Sequence, residues 1–90
     1  MIKIVNAQYN GDYSICVVFS DETTGVYDLK PLLFSYETPL TVPLRDITCF
    51  RNFFLQSGAL CWKNGLELDP LAIYREIDGT GTLSQIKKAA

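Results

Sequence analysis

The stretch that decides the fold is Tyr13-Ser14-Ile15-Cys16-Val17-Val18-Phe19. β-Branched and aromatic residues dominate it, as they do in strands, and the run from Ile15 to Phe19 is apolar without a break. Such a run predicts a central strand with both faces covered, because a strand with one wet face alternates instead. Upstream, Ile2, Ile4 and Ala7 alternate with polar neighbours and lead into Asn10-Gly11, a dipeptide that tolerates positive φ and suits a tight hairpin. Downstream, Ser20 to Gly25 is a polar turn, and Val26, Tyr27 and Leu29 form a third strand ending at Lys30-Pro31. These three segments predict an antiparallel meander.

After Pro31 the pattern changes. Leu32, Leu33 and Phe34 fit one helical turn, and residues 35–42 read as an extended loop. A short helix follows, begun either by Pro43 at its first position or by Asp46 as its cap. Leu44, Ile47 and Phe50 stand three apart and mark its apolar stripe. Strand character returns at Phe53 to Gln56, Gly58 interrupts it, and Ala59 to Trp62 resumes it. Lys63-Asn64-Gly65 is a second hairpin signal, followed by Leu66 and Leu68. Asp69-Pro70 reads as an N-cap with proline at the first helical position, and Ile73, Tyr74 and Ile77 supply the buried side of that helix. The prediction is a single α+β domain over residues 1–80. It holds an antiparallel β-sheet of three meander strands, a short helix, two or three further strands and a short C-terminal helix. Residues 81–90 read as a short polar tail, frayed unless a partner orders it.

Composition narrows function mainly by exclusion. The 90 residues are 48% apolar, with 8 basic and 10 acidic side chains, a net charge of −2, three cysteines and no histidine. Size scaling gives a folded surface of roughly 5,300 Å² against roughly 14,600 Å² for the extended chain, enough for one core. Without histidine the chain lacks the commonest acid–base catalyst and the commonest metal ligand. Cys16, Cys49 and Cys61 stand far apart with no C-x-x-C, so a zinc site has little support. Set among apolar neighbours, all three read as buried, reduced thiols, which places the chain in the cytoplasm. Residues 1–6 do not form a secretory signal, and no apolar run approaches the ~20 residues of a membrane helix. No cofactor is expected.

Each constellation has a plain structural reading that outweighs the catalytic one. Gly79-Thr80-Gly81 begins like a nucleotide loop, but Ser84 stands where a third glycine belongs, and a helix end explains it better. Asp21 and Glu22 share a turn, while Glu67 and Asp69 share a strand face. Trp62, the single tryptophan, alternates with Leu60 and is expected to cover the edge of the core. Ten further aromatics are many for this length, so some should reach the surface, where an aromatic patch marks a protein contact.

Phe19-Ser20-Asp21, Gly25-Val26-Tyr27-Asp28-Leu29, Leu44-Arg45-Asp46 with Phe50, and Trp62-Lys63-Asn64-Gly65-Leu66-Glu67-Leu68-Asp69-Pro70 with Tyr74 follow one another along the chain. This succession resembles the bacterial family known as domain of unknown function 2442, over about residues 1–75. Lys63 and Glu22 depart from it, standing where the family usually has proline and glycine. The resemblance implies an α+β fold and no established activity. Relatives joined to a helix-turn-helix domain or lying beside toxin-like genes imply a regulatory or antitoxin-like partner role. The 90 residues leave no room for such a DNA-binding domain, so any contact with DNA regulation is expected to pass through another protein.

The expected function is therefore a non-enzymatic protein-interaction or accessory module, with a protein partner or a homodimer and no membrane. Its candidate interaction and signature residues are Asp28, Asp46, Trp62, Asn64, Gly65, Asp69, Pro70 and Tyr74. One alternative is a small enzyme or ligand binder using Asp28, Asp46 and Asp69 around a pocket near Trp62. Another is nucleic-acid binding through Arg45, Arg51 and Lys63, which the scattered positive charge disfavours.

Overall fold

The computed structural model describes residues 1–85. Strands β1 (Ile4–Gly11), β2 (Ser14–Phe19) and β3 (Thr23–Asp28) form the antiparallel meander. Helix α1 (Lys30–Ser35), a 3₁₀ turn at Val42–Arg45 and helix α2 (Ile47–Phe50) follow. Strands β4 (Phe54–Gln56), β5 (Ala59–Cys61) and β6 (Glu67–Leu68) precede helix α3 (Pro70–Gly79) and the short strand β7 (Ser84–Gln85). The class is α+β, with antiparallel pairing throughout.

Where one sheet was expected, there are two. One runs in the order β1-β2-β3-β7 and the other in the order β4-β5-β6. They meet where the Ile4 amide donates to the Gly58 carbonyl at 2.9 Å. Strand β7 pairs Thr23 with Gln85 and Thr24 with Ser84, so these two residues of the expected polar tail join the larger sheet. Residues 86–90 of that tail lie outside the described residues.

The first hairpin is displaced by two residues from the Asn10-Gly11 expectation. Gly11 pairs with Ser14, leaving Asp12 (φ 51°) and Tyr13 (φ 63°) as the two-residue loop. Both take the left-handed conformation that a type I′ turn requires. Tertiary packing explains why a tyrosine accepts it: its ring lies edge-on to Phe34 and Phe50, and its hydroxyl donates to the Arg45 carbonyl. Gly11 sits instead beside a bulge between Tyr9 and Gly11. A second turn of this kind, Ser57-Gly58, joins β4 to β5.

Strand β2 is central, but only one of its faces is fully buried. Ile15, Val17 and Phe19 are at most 1% exposed, whereas Cys16 and Val18 are half-buried. The buried face packs with Leu29, Leu33, Leu44, Phe50, Leu60, Trp62, Ile73 and Ile77 in one core. Gly25 lets α3 approach β3 closely: a Cβ there would lie 2.6 Å from Ile77 Cγ2. Ile47, expected on the stripe with Leu44 and Phe50, is exposed. The 3₁₀ turn before Asp46 and the new helix after it break the three-residue periodicity that the stripe assumes. The thiols also divide, with Cys61 buried, Cys16 half-buried and Cys49 exposed. No helix among the described residues is long and apolar enough to cross a membrane.

Candidate functional site

Residues 34–47 carry a concentration of exposed apolar side chains: Phe34, Tyr36, Leu40, Val42 and Ile47. Phe34 is 47% and Tyr36 57% exposed, although the chain around them is firmly held. Arg45 is the main clamp. Its Nε donates to the Leu33 carbonyl at 2.7 Å, and its Nη2 donates to the Tyr36 carbonyl and to Glu37 Oε2, both at 3.1 Å. The same guanidinium lies 5.2 Å from the centre of the Phe34 ring, within cation–π range.

A second clamp comes from Asn64, whose amide donates to the Pro39 and Leu40 carbonyls at 3.2 and 3.1 Å. Thr41 ties the segment internally. Its buried hydroxyl donates to the Tyr36 carbonyl at 2.6 Å, and its amide donates to the Thr38 carbonyl at 3.1 Å. Unsatisfied carbonyls would leave this segment free to move. Instead, the side chains of Thr41, Arg45 and Asn64 bind several of them, and the apolar groups are presented on an ordered backbone.

The surface connects to the core through aromatic rings. Trp62 lies 5.7 Å from Phe50, Phe50 lies 5.4 Å from Tyr13, and Tyr13 lies 5.2 Å from Phe34, centre to centre. Trp62 therefore belongs to the core itself, at 3% exposure, rather than to its edge. Its indole N–H donates to the Phe50 carbonyl at 2.8 Å.

A groove of about 910 Å³ opens elsewhere, lined by residues including Ile2, Lys3, Asp21, Ala59, Glu67, Asp69 and Leu71. Asp69 stands at the N-cap of α3, as expected, but its carboxylate makes no capping bond. Pro70 at the first helical position supplies the fixed φ that starts the helix without it. Asp21 is already satisfied: it accepts from the Thr23 amide and hydroxyl and from the Tyr74 hydroxyl at 2.7 Å. These bonds, the Thr23 hydroxyl first, hold its carboxyl below the usual carboxylate value.

The carboxylates of the ligand-binding alternative each have a separate local setting, with Asp69 lining the large groove and Asp28 a different hollow. Asp28 accepts from the Lys30 amide at 3.0 Å and lines a small hollow with Tyr27 and Glu76. Burial, with Glu76 beside it, pushes the Tyr27 phenol up to about 12. Asp46 caps α2 by accepting from the Thr48 amide at 2.9 Å. Among the described residues no group of three or more metal-ligating side chains forms. Two of the three cations of the nucleic-acid alternative are engaged, Arg45 as above and Arg51 over the Tyr9 ring at 4.9 Å, while Lys63 is exposed.

Of the expected candidates, Asn64 and Trp62 support the 34–47 surface, one directly and one through Phe50. Gly65 makes the turn (φ 106°) that presents Asn64, while Asp69, Pro70 and Tyr74 serve α3 and its contact with the β2–β3 turn. Sequence reasoning did not identify Phe34, Tyr36 and Arg45 as one unit. The available signal was apolar residues in a proline-bounded loop with a single nearby arginine.

A family model described as "Protein of unknown function (DUF2442)" matches residues 4–79. No curated protein and no solved structure matches the chain.

Proposed function

Because the chain belongs to the DUF2442 family, whose description assigns no activity, we propose from its own geometry that it is a non-catalytic protein-interaction module that receives a partner on residues 34–47. The observation that carries this reading is the clamped, apolar surface around Arg45. Exposed apolar groups on a mobile loop would pay an ordering entropy on binding, and here the Arg45 and Asn64 bonds have already fixed the backbone. Phe34 and Tyr36 supply aromatic area beside an arginine, the residue types enriched at the centres of protein interfaces.

An accessory role beside a second gene product, antitoxin-like or otherwise regulatory, fits this surface and the cytoplasmic setting that three free thiols favour. The test is co-expression with the product of the adjacent gene, followed by purification through a tag on this chain. The wild type should carry the partner in a fixed ratio. The double variant Tyr36→Ser/Val42→Ser, with an unchanged far-UV circular dichroism spectrum, should lose it. Recovery of the bare chain in both cases, or equal retention by both, would overturn the reading.

A further inference from the structure

The groove of about 910 Å³ is walled by the β2–β3 turn, the β4–β5 turn, strand β6 and the first turn of α3. Ile2 and Leu71 belong to its apolar lining, and Asp21, Glu67 and Asp69 set three carboxylates along it. Lys3 and the amino-terminal Met1 line it too, yet none of the three carboxylates pairs with a cation among the described residues. A purely apolar occupant would strip water from these carboxylates and give nothing back. The occupant that fits therefore brings apolar and positively charged groups together.

The chain itself holds one such segment. Residues 86–90 read Ile86-Lys87-Lys88-Ala89-Ala90, and nowhere else in the sequence are two basic residues adjacent. Strand β7 fixes where this segment begins. Ser84 pairs with Thr24 and Gln85 with Thr23, so the chain runs toward the β2–β3 turn. Asp21, a wall of the groove, lies two residues past Thr23 in that direction.

We propose that residues 86–90 fill this groove in cis, with Lys87 and Lys88 paired to its carboxylates. Reach is sufficient. Five extended residues span about 16 Å, of which about 7 Å brings the chain level with Asp21. Tyr74, bonded to Asp21 at 2.7 Å, stands one and a half helical turns along α3 from Asp69, a rise of about 7.5 Å. The remaining length covers that distance. The groove is then a site that the chain occupies for itself, separate from the partner surface on residues 34–47. Ion pairs at so open a site are individually weak, so the contact should be sensitive to salt.

Zero-length carbodiimide coupling of the intact chain tests the proposal, because it joins an amine to a carboxylate only where the two touch. Peptide mapping of the monomer band should find Lys87 or Lys88 joined to Asp21, Glu67 or Asp69. The yield should be unchanged on dilution and fall at least about threefold in 1 M salt, where the Debye length is about 3 Å. Lys87→Glu/Lys88→Glu in the full chain reverses the charge and leaves the core untouched. Its amide resonances should shift from wild type at Ser57, Asp69 and Leu71, and stay in place at Tyr36 and Val42. Cross-links that are absent, or that join the lysines equally to Glu37 outside the groove, would overturn the proposal. Cross-links confined to the dimer band would overturn it in favour of a second copy's segment. Groove resonances identical in the double variant and the wild type would overturn it as well.

Discussion

The Trp62 indole N–H donates to the Phe50 carbonyl at 2.8 Å, inside the core. This bond ties strand β5 and its turn to the C-terminal end of α2, where helix carbonyls lack intrahelical donors. Trp62→Phe keeps an aromatic ring but removes the donor, leaving a buried carbonyl unsatisfied. The expected loss is about 1–3 kcal/mol in urea denaturation followed by circular dichroism. Because Trp62 is the single tryptophan, tryptophan fluorescence cannot report on the variant. A stability equal to wild type would show that the bond carries no net energy.

A second prediction concerns space. Gly25→Ala would place a Cβ 2.6 Å from Ile77 Cγ2, pushing α3 off β3 or forcing Ile77 from its rotamer. Overpacking of this kind costs about 1–3 kcal/mol. Ile77→Ala alone opens a cavity, at about 2–5 kcal/mol for a buried isoleucine. The double variant should be less destabilised than the sum of the two, because the added methyl occupies part of that cavity. Strict additivity would show that the two residues do not share the space.

Much of the fold could be read from residues whose signals are local. The meander strands, the helix after Pro31, the Asp46 cap and the Pro70 helix start each depend on neighbours within a few positions. Failures came where distant contacts decided the outcome. Tyr13 occupies a turn position because Phe34, Phe50 and Arg45 hold it there, against the Asn10-Gly11 signal. Ser84 and Gln85 look like tail residues until Thr23 and Thr24 pair with them. The division into two sheets depends on where Gly58 meets Ile4, which no window of sequence displays. The candidate surface was legible as a surplus of aromatics. Its location was not, since Arg45 unites Leu33, Tyr36 and Glu37 only after folding.

Asn64 offers a way to loosen that surface without touching it. Its amide donates to the Pro39 and Leu40 carbonyls, and Asn64→Ala removes both bonds at an exposed site. Global stability should fall by only about 0.5–1.5 kcal/mol. Hydrogen exchange should rise more clearly at the Thr41 and Val42 amides, which donate to the Thr38 carbonyl. Unchanged protection there would show that Arg45 and Thr41 hold the segment without help from Asn64.

The Asp21–Tyr74 contact leads to a prediction in pH. Asp21 is held below its ordinary value of 3.8, chiefly by the Thr23 hydroxyl and also by the Tyr74 hydroxyl. A carboxyl whose pKa is lower in the folded state binds its proton more readily when unfolded. Its contribution is therefore present in full above the unfolded value and is lost as pH falls through the folded one. Stability should be level with respect to this group above about pH 5 and decline as acid is added below about pH 4. Asp21→Asn should make that decline shallower and leave the profile at neutral pH parallel to wild type. Tyr74→Phe removes one of the donors and should move the acid limb part of the way toward that of Asp21→Asn. It also keeps the ring that lies edge-on to Phe19 at 4.9 Å, so packing loss is small. Urea titrations of the three proteins at intervals from pH 3 to pH 7 measure the slopes. Identical acid limbs would mean that the β2–β3 turn and α3 are joined by packing alone.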